Sequence, residues 1–236
     1  MDQRRPGSAA GASLRARVRS AWKRLAGRGT YDQVSLTDEE IRRGAYADLL
    51  GGGAGAWERR GEYQRHLLGR LGLLPEHRLL EVGCGPARAS VHLIEYLEPG
   101  HFVGMDYNES FIRAARHVTS ERGLDARGPR FECVQDFALD LGGERVDWVL
   151  AFSVLNHCTP ALRERCLDML ERVLAEHGTA LVTHARWYDE RLLDGRSLRL
   201  HRTIGPDDLD PDLLPRAWGW GEEQAQVFPI LELTRT

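Results

Sequence analysis

With 236 residues and 42% hydrophobic side chains, the chain has enough material for one open α/β domain with a full core, and no room for a second domain. It has no run of 18 or more apolar residues, and residues 1–30 lack the apolar core of a secretory signal, so neither a spanning helix nor a leader is expected. Four cysteines without a C-x-x-C pair point to reduced thiols in a cytoplasmic protein, and the absence of ligand spacing leaves no metal expected. The net charge of −3 hides an asymmetry: residues 1–30 carry eight Arg and Lys against Asp2, a net of +7, so residues 31–236 carry −10. A body this acidic argues against a nucleic-acid platform.

Met1 to Gly11 is rich in Pro, Gly, Ser and Ala and is expected to be disordered. Leu14, Val18, Ala21, Trp22 and Leu25 then fall on one helical stripe with arginines around it. This amphipathic arm, residues 1–30, suits three roles: a docked or loosely ordered helix, a weak contact with an anionic membrane surface through residues 14–26, or a site for nucleic acid or a partner. Residues 31–60 read as a helical roof or lid. There Thr37 and Glu40 have the spacing of a capping box, and Gly51-Gly52-Gly53-Ala54-Gly55 is a hinge or close-approach loop ahead of Trp57. A helix is expected from Gly61 to Leu71, opening the main domain, residues 61–236.

Leu79-Leu80-Glu81-Val82 is an apolar strand that runs into Gly83-Cys84-Gly85-Pro86-Ala87-Arg88. Two glycines one residue apart would let backbone N–H groups approach a ligand, and Pro86 would pre-set the first helical turn. His101 to Asp106 gives a second strand ending in a carboxylate 23 residues after Gly83, where a nucleotide-binding unit places its ribose acceptor. Arg88 stands where the dinucleotide fingerprint needs a third small residue, which disfavours a nicotinamide-dependent reductase. Asn108 is the expected N-cap of a helix over Ser110 to Glu121. Arg130 to Val134 reads as a third strand and Val146 to Ala151 as a fourth, buried one. Thr159-Pro160 should open a helix closed by Glu176-His177-Gly178, with a fifth strand over Thr179 to Thr183 and a last one within Gln226 to Thr234. The segment from Ala185 to Trp220 carries no legible motif, although Trp187, Tyr188, Trp218 and Trp220 would suit an aromatic-lined site as well as a core.

Glu81-Val82-Gly83-Cys84-Gly85-Pro86-Ala87 resembles the first motif, (D/E)-x-G-x-G-x-(G/A), of the class I S-adenosylmethionine-dependent methyltransferases. The later elements follow in that family's order from Gly61 to His184. The resemblance implies a Rossmann-like α/β fold, a seven-stranded and mostly parallel sheet with helices on both faces. It implies S-adenosyl-L-methionine as methyl donor and S-adenosyl-L-homocysteine as product. Glu81, Gly83, Cys84, Gly85 and Arg88 would then serve the donor from the glycine loop, and Asp106 and Tyr107 from the second strand. Asp136 and Phe137 would meet the adenine, while Phe152 and Ser153 would lie beneath the sulfonium. The acceptor is expected to be a small molecule methylated on O or N, placed in line with the methyl and shielded from water. A hydroxyl acceptor needs a base, for which His157 and, second, His184 stand at the ligand edge of the sheet. His157 is equally suited to cap the helix at Pro160 or to line the site. An alternative is a donor-binding partner or regulatory subunit without catalysis.

Overall fold

The computed structural model describes residues 34–51, 54–183, 185–205, 208 and 229–236. The basic arm with its stripe at 14–26, the Gly52-Gly53 pair, His184, Trp218 and Trp220 lie outside the described residues.

Three short, mostly apolar runs, Leu79–Val82 (β1), Phe102–Asp106 (β2) and Val146–Ala151 (β4), are buried except at the half-buried Asp147 and form the centre of the sheet. Arg130–Cys133 (β3) pairs parallel with β2, and Leu174–Val182 (β5) parallel with β4. Ile230–Arg235 (β7) is antiparallel to β5, and Leu198–Ile204 (β6) closes that edge antiparallel to β7. The strand order is β3-β2-β1-β4-β5-β7-β6, which confirms a seven-stranded, mostly parallel sheet. The order reverses between β1 and β4, so the carboxyl ends of these strands flank the crevice where open α/β sheets bind ligands.

Helices cover both faces because the strands alternate their side chains. Leu79, Trp148 and Leu150 pack beneath Ala54–Arg70 (α3), Ser90–Tyr96 (α4) and Glu109–Glu121 (α5). Leu80, Val82, Val149 and Ala151 face the opposite layer, where Cys166, Leu167, Met169 and Leu170 of Pro160–Val173 (α6) are buried. Each fully buried leucine there contributes about 2 kcal/mol. Ahead of the sheet, Asp38–Arg42 (α1) and Ala45–Gly51 (α2) form the roof. Thr37 accepts from the Glu40 N–H while the Glu40 carboxylate accepts from the Thr37 N–H, completing the expected capping box.

Four expectations are corrected. Helix α3 begins at Ala54 and not at Gly61, so Gly51, Ala54 and Gly55 are helical, while the hinge expected at Gly52-Gly53 lies outside the described residues. Pro86 does not open a helix: Gly83, Gly85 and Ala87 hold φ of 68°, 53° and 66°, and these left-handed turns postpone α4 to Ser90. Helix α6 ends at Val173, because the buried Leu174 is drawn into the sheet beside Val146. The expected stop signal is real but lies inside β5, where His177 at φ 65° marks the excursion that shifts register between Val146 and Trp148. Finally, β6 emerges from the segment that carried no motif.

Candidate active site

The parallel registers bring the predicted residues to one edge. Val82 pairs with Met105 and Ala151, Asp106 with Cys133, and Ala151 with Val182. The loops after β1 to β5 therefore leave the sheet side by side, carrying Gly83 to Arg88, Asp106 and Tyr107, Asp136 and Phe137, and Phe152 to His157.

Two carboxylates dominate this edge. Glu81, 5% exposed, accepts the Ser90 hydroxyl at 2.6 Å. Burial pushes its pKa up to about 7 despite that bond and the attraction of Arg88. Asp106 ends β2, 7% exposed, and takes the Gly85 N–H on Oδ2 at 3.0 Å and the Asn108 N–H on Oδ1 at 2.9 Å. Burial still holds its pKa above the usual value. A carboxylate has about four lone-pair sites. Both oxygens therefore retain capacity for the two hydroxyls of a ribose, and a cation beside Glu81 would restore its charge. The donor set fits S-adenosylmethionine, which bears both a diol and an ammonium group.

The glycine loop is also tied into the protein itself. The N–H groups of Gly83 and Cys84 both donate to the Met105 carbonyl, at 2.8 and 3.0 Å, so they are spent inside the protein. A Cβ on Gly83 would stand 2.4 Å from Val154 Cγ2, so the missing side chain makes room for the end of the β4 loop. Cys84 is 3% exposed and burial pushes its thiol well up, which leaves it a packing residue. Arg88 lies over the Trp57 ring, 5.9 Å from its centroid.

Tyr107 is exposed and its carbonyl accepts from Gln135 Nε2 at 2.8 Å, tying the β2 and β3 loops together. Asp136 and Phe137 both hold left-handed backbone, with φ of 55° and 60°. The exposed Asp136 carboxylate accepts from Arg165 at 2.5 Å. Beyond β4, Phe152 is buried, and Ser153 sits at φ 61° with its N–H donated to the Thr183 hydroxyl at 2.8 Å. His157 closes a 3-10 turn over Leu155–His157, its Nε2 3.3 Å from the Asn156 amide nitrogen. Burial lowers its pKa, so it is neutral at physiological pH.

Sequence reasoning missed several residues. Ser90 and Thr183 are hydroxyls among apolar neighbours, a signal that a buried partner is required. Ser110 had no such signal: its hydroxyl accepts the Leu36 N–H at 3.0 Å and docks the roof onto α5 beside Asp106. Asn108 helps by donating to the Val34 carbonyl at 2.7 Å.

A family described as "Methyltransferase domain" matches residues 74–210, more than half of the chain and the whole of this edge. The chain belongs to that family. It is a class I S-adenosylmethionine-dependent methyltransferase, as the glycine motif implied. Among solved structures, the methyltransferase is similar to the magnesium protoporphyrin IX methyltransferase ChlM of Synechocystis PCC 6803 with bound SAM. That likeness has 18% identity, covers 99% of this chain and 100% of that one, and has a TM-score of 0.55. A TehB-like SAM-dependent methyltransferase from Corynebacterium glutamicum shares 18% identity over 95% and 99% of the two chains, TM-score 0.55. The mitomycin 7-O-methyltransferase MmcR shares 15% identity over 98% of this chain and 74% of its own, TM-score 0.61. At these identities the likeness is one of fold. Among the described residues, no group of His, Cys, Asp and Glu is arranged to hold a metal, and no helix is long and apolar enough to cross a membrane.

Proposed function

We propose that this methyltransferase acts in the cytoplasm on a small-molecule acceptor, methylating O or N, with Glu81 and Asp106 as the donor-binding carboxylates. The observation that carries this reading is their shared state. Both are buried at adjacent strand ends, and both are held above the ordinary carboxylate range by burial. S-adenosylmethionine supplies an already electrophilic methyl group when bound. The chain's part is to hold the donor, exclude water, orient the acceptor and accept a proton.

Asp106 takes the ribose hydroxyls and Glu81 the donor's cationic end, with Asp136 and Phe137 at the adenine. Phe152 and Ser153 form the floor, and the Ser153 N–H bond to Thr183 fixes the backbone there. His157, neutral and at the same edge, takes the proton of a hydroxyl acceptor. On the acceptor side, Asn156 Oδ1, the Trp187 indole N–H and the Tyr188 hydroxyl are buried and have no hydrogen-bond partner. Arg163 ties Trp187 to the β4 loop, donating to the Leu155 carbonyl at 2.9 Å while lying 4.8 Å from the Trp187 ring centroid. Such a wall suits a flat acceptor with polar substituents. Solved small-molecule methyltransferases of the same fold, ChlM and MmcR among them, support a small acceptor. Four free cysteines suit a reducing compartment. Incubating the protein with S-adenosylmethionine and a panel of phenols and amines, and following S-adenosylhomocysteine by mass spectrometry, tests the proposal. Product with a phenol or an amine is expected, and donor binding without turnover across the panel would favour the non-catalytic alternative.

A further inference from the structure

The loop between β1 and α4 is gripped from outside by a helix that lies away from the donor carboxylates. In α3, Trp57 and Gly61 stand four residues apart and share a face. Trp57 is 5% exposed, its ring 5.2 Å from the Tyr46 ring and 5.9 Å from the Arg88 guanidinium carbon. A Cβ on Gly61 would lie 2.1 Å from the Arg88 carbonyl oxygen and 2.8 Å from His92 Cδ2, so the α3 backbone rests directly on residue 88. Glu58 locks this seat: it accepts from Arg122, just past the end of α5, at 2.6 and 3.2 Å and lies 3.4 Å from His92 Nε2 of α4.

The grip falls beside a strained residue. Ala87 holds φ of +66° with its methyl fully buried, a conformation that a residue with a Cβ keeps only where its surroundings impose it. On its β1 side the loop is bound to β2 through Met105 and Asp106. On its far side the bonds are local: the Ala87 N–H donates to the Cys84 carbonyl at 3.1 Å and the Val91 N–H to the Ala87 carbonyl at 3.3 Å.

We propose that Trp57 and Gly61 are positioning residues for the donor loop, holding Ala87 left-handed through Arg88 without touching the donor. The proposal rests on the reading of this loop as the donor site. Alanine in place of glycine inside a helix ordinarily stabilises it. Here Gly61→Ala lifts α3 from residue 88 and releases the loop.

Calorimetric titration of S-adenosylhomocysteine into the full chain provides the test, comparing the parent with Gly61→Ala, Trp57→Leu, and each of these combined with Ala87→Gly. Each single variant is expected to weaken binding about tenfold or more. Ala87→Gly should restore most of that loss, because glycine takes φ +66° without being held. A merely structural role for α3 would give no such rescue. Binding within twofold of the parent in a folded single variant overturns the proposal, as does a combined variant no tighter than its single. If Gly61→Ala does not fold, the Trp57→Leu pair decides on the same criteria. Failure of the parent itself to bind S-adenosylhomocysteine would refute the donor-site reading, a result distinct from intact binding by the variants.

Discussion

The two halves of the ligand edge differ in how completely they satisfy themselves. At the ends of β1 and β2, Asp106 is tied to the glycine loop and to Asn108, Glu81 to Ser90, and the loop N–H groups to Met105. Past β4 and β5, Asn156 Oδ1, the Trp187 indole N–H and the Tyr188 hydroxyl are buried without hydrogen bonds. A buried polar atom left unpaired costs on the order of 1–3 kcal/mol, so that half gains most from a partner. On the proposed function, the contrast follows from the ligands. The donor is common to the whole class and can be served by residues close in sequence, whereas an acceptor is particular to each enzyme.

If the contrast holds, changes at the donor end strike binding and changes at the acceptor end strike turnover. The largest effect is expected for Asp106→Ala, which removes the carboxylate between loop and ribose and should weaken donor binding by about 2–3 kcal/mol, roughly 30- to 150-fold. Near-normal affinity by calorimetry would remove Asp106 from the site. His157→Ala should lower turnover of a hydroxyl acceptor by about 10²-fold and leave donor affinity nearly intact. Because burial lowers the histidine's pKa, the parent's rate should rise with pH and level off at a midpoint below the usual histidine value of about 6.5. A variant that keeps most of its turnover would make His157 a residue that lines the site, since Thr159 and not His157 caps α6.

Glu81→Gln separates stability from function. Its native pKa of about 7 exceeds the ordinary 4.5, so the native state binds the proton more tightly than the unfolded one. Below pH 4.5 both states are protonated and burial costs no charge. As pH climbs past 7 the native protein carries a desolvation cost of about 3 kcal/mol. The glutamine variant should therefore melt several degrees above the parent at pH 8, with the gap closing toward pH 5, and should bind the donor more weakly. Equal melting temperatures at pH 8 would contradict the burial of Glu81. The smallest effect is expected from deleting residues 1–28, which should leave donor affinity unchanged by calorimetry. A lost affinity would make the arm part of the site.

The same division governs what the sequence reveals. The bounds of β1 and β4, Leu79–Val82 and Val146–Ala151, can be read from apolar runs broken only by Glu81 and Asp147, and Asn108 and Thr159 announce their helices by side-chain chemistry alone. These are local signals. Strand β6 is hidden because its register against β7 shifts between Leu200 and Arg202, which breaks the alternation that marks a strand. The early start of β5 is hidden because Leu174 answers to Val146, nearly thirty residues away. The role of Gly61 is hidden for the same reason: only the packed structure shows that a Cβ there would meet the Arg88 carbonyl.

The most direct measurement is a calorimetric titration of the full chain with S-adenosylmethionine, S-adenosylhomocysteine and NADH. One saturable site for each of the first two and no heat with NADH is the expected result, with affinity falling as pH drops below 7 and Glu81 takes up its proton. No binding of either sulfur ligand, or binding of NADH at equal strength, would contradict the assignment of Glu81 and Asp106 as the donor-binding pair.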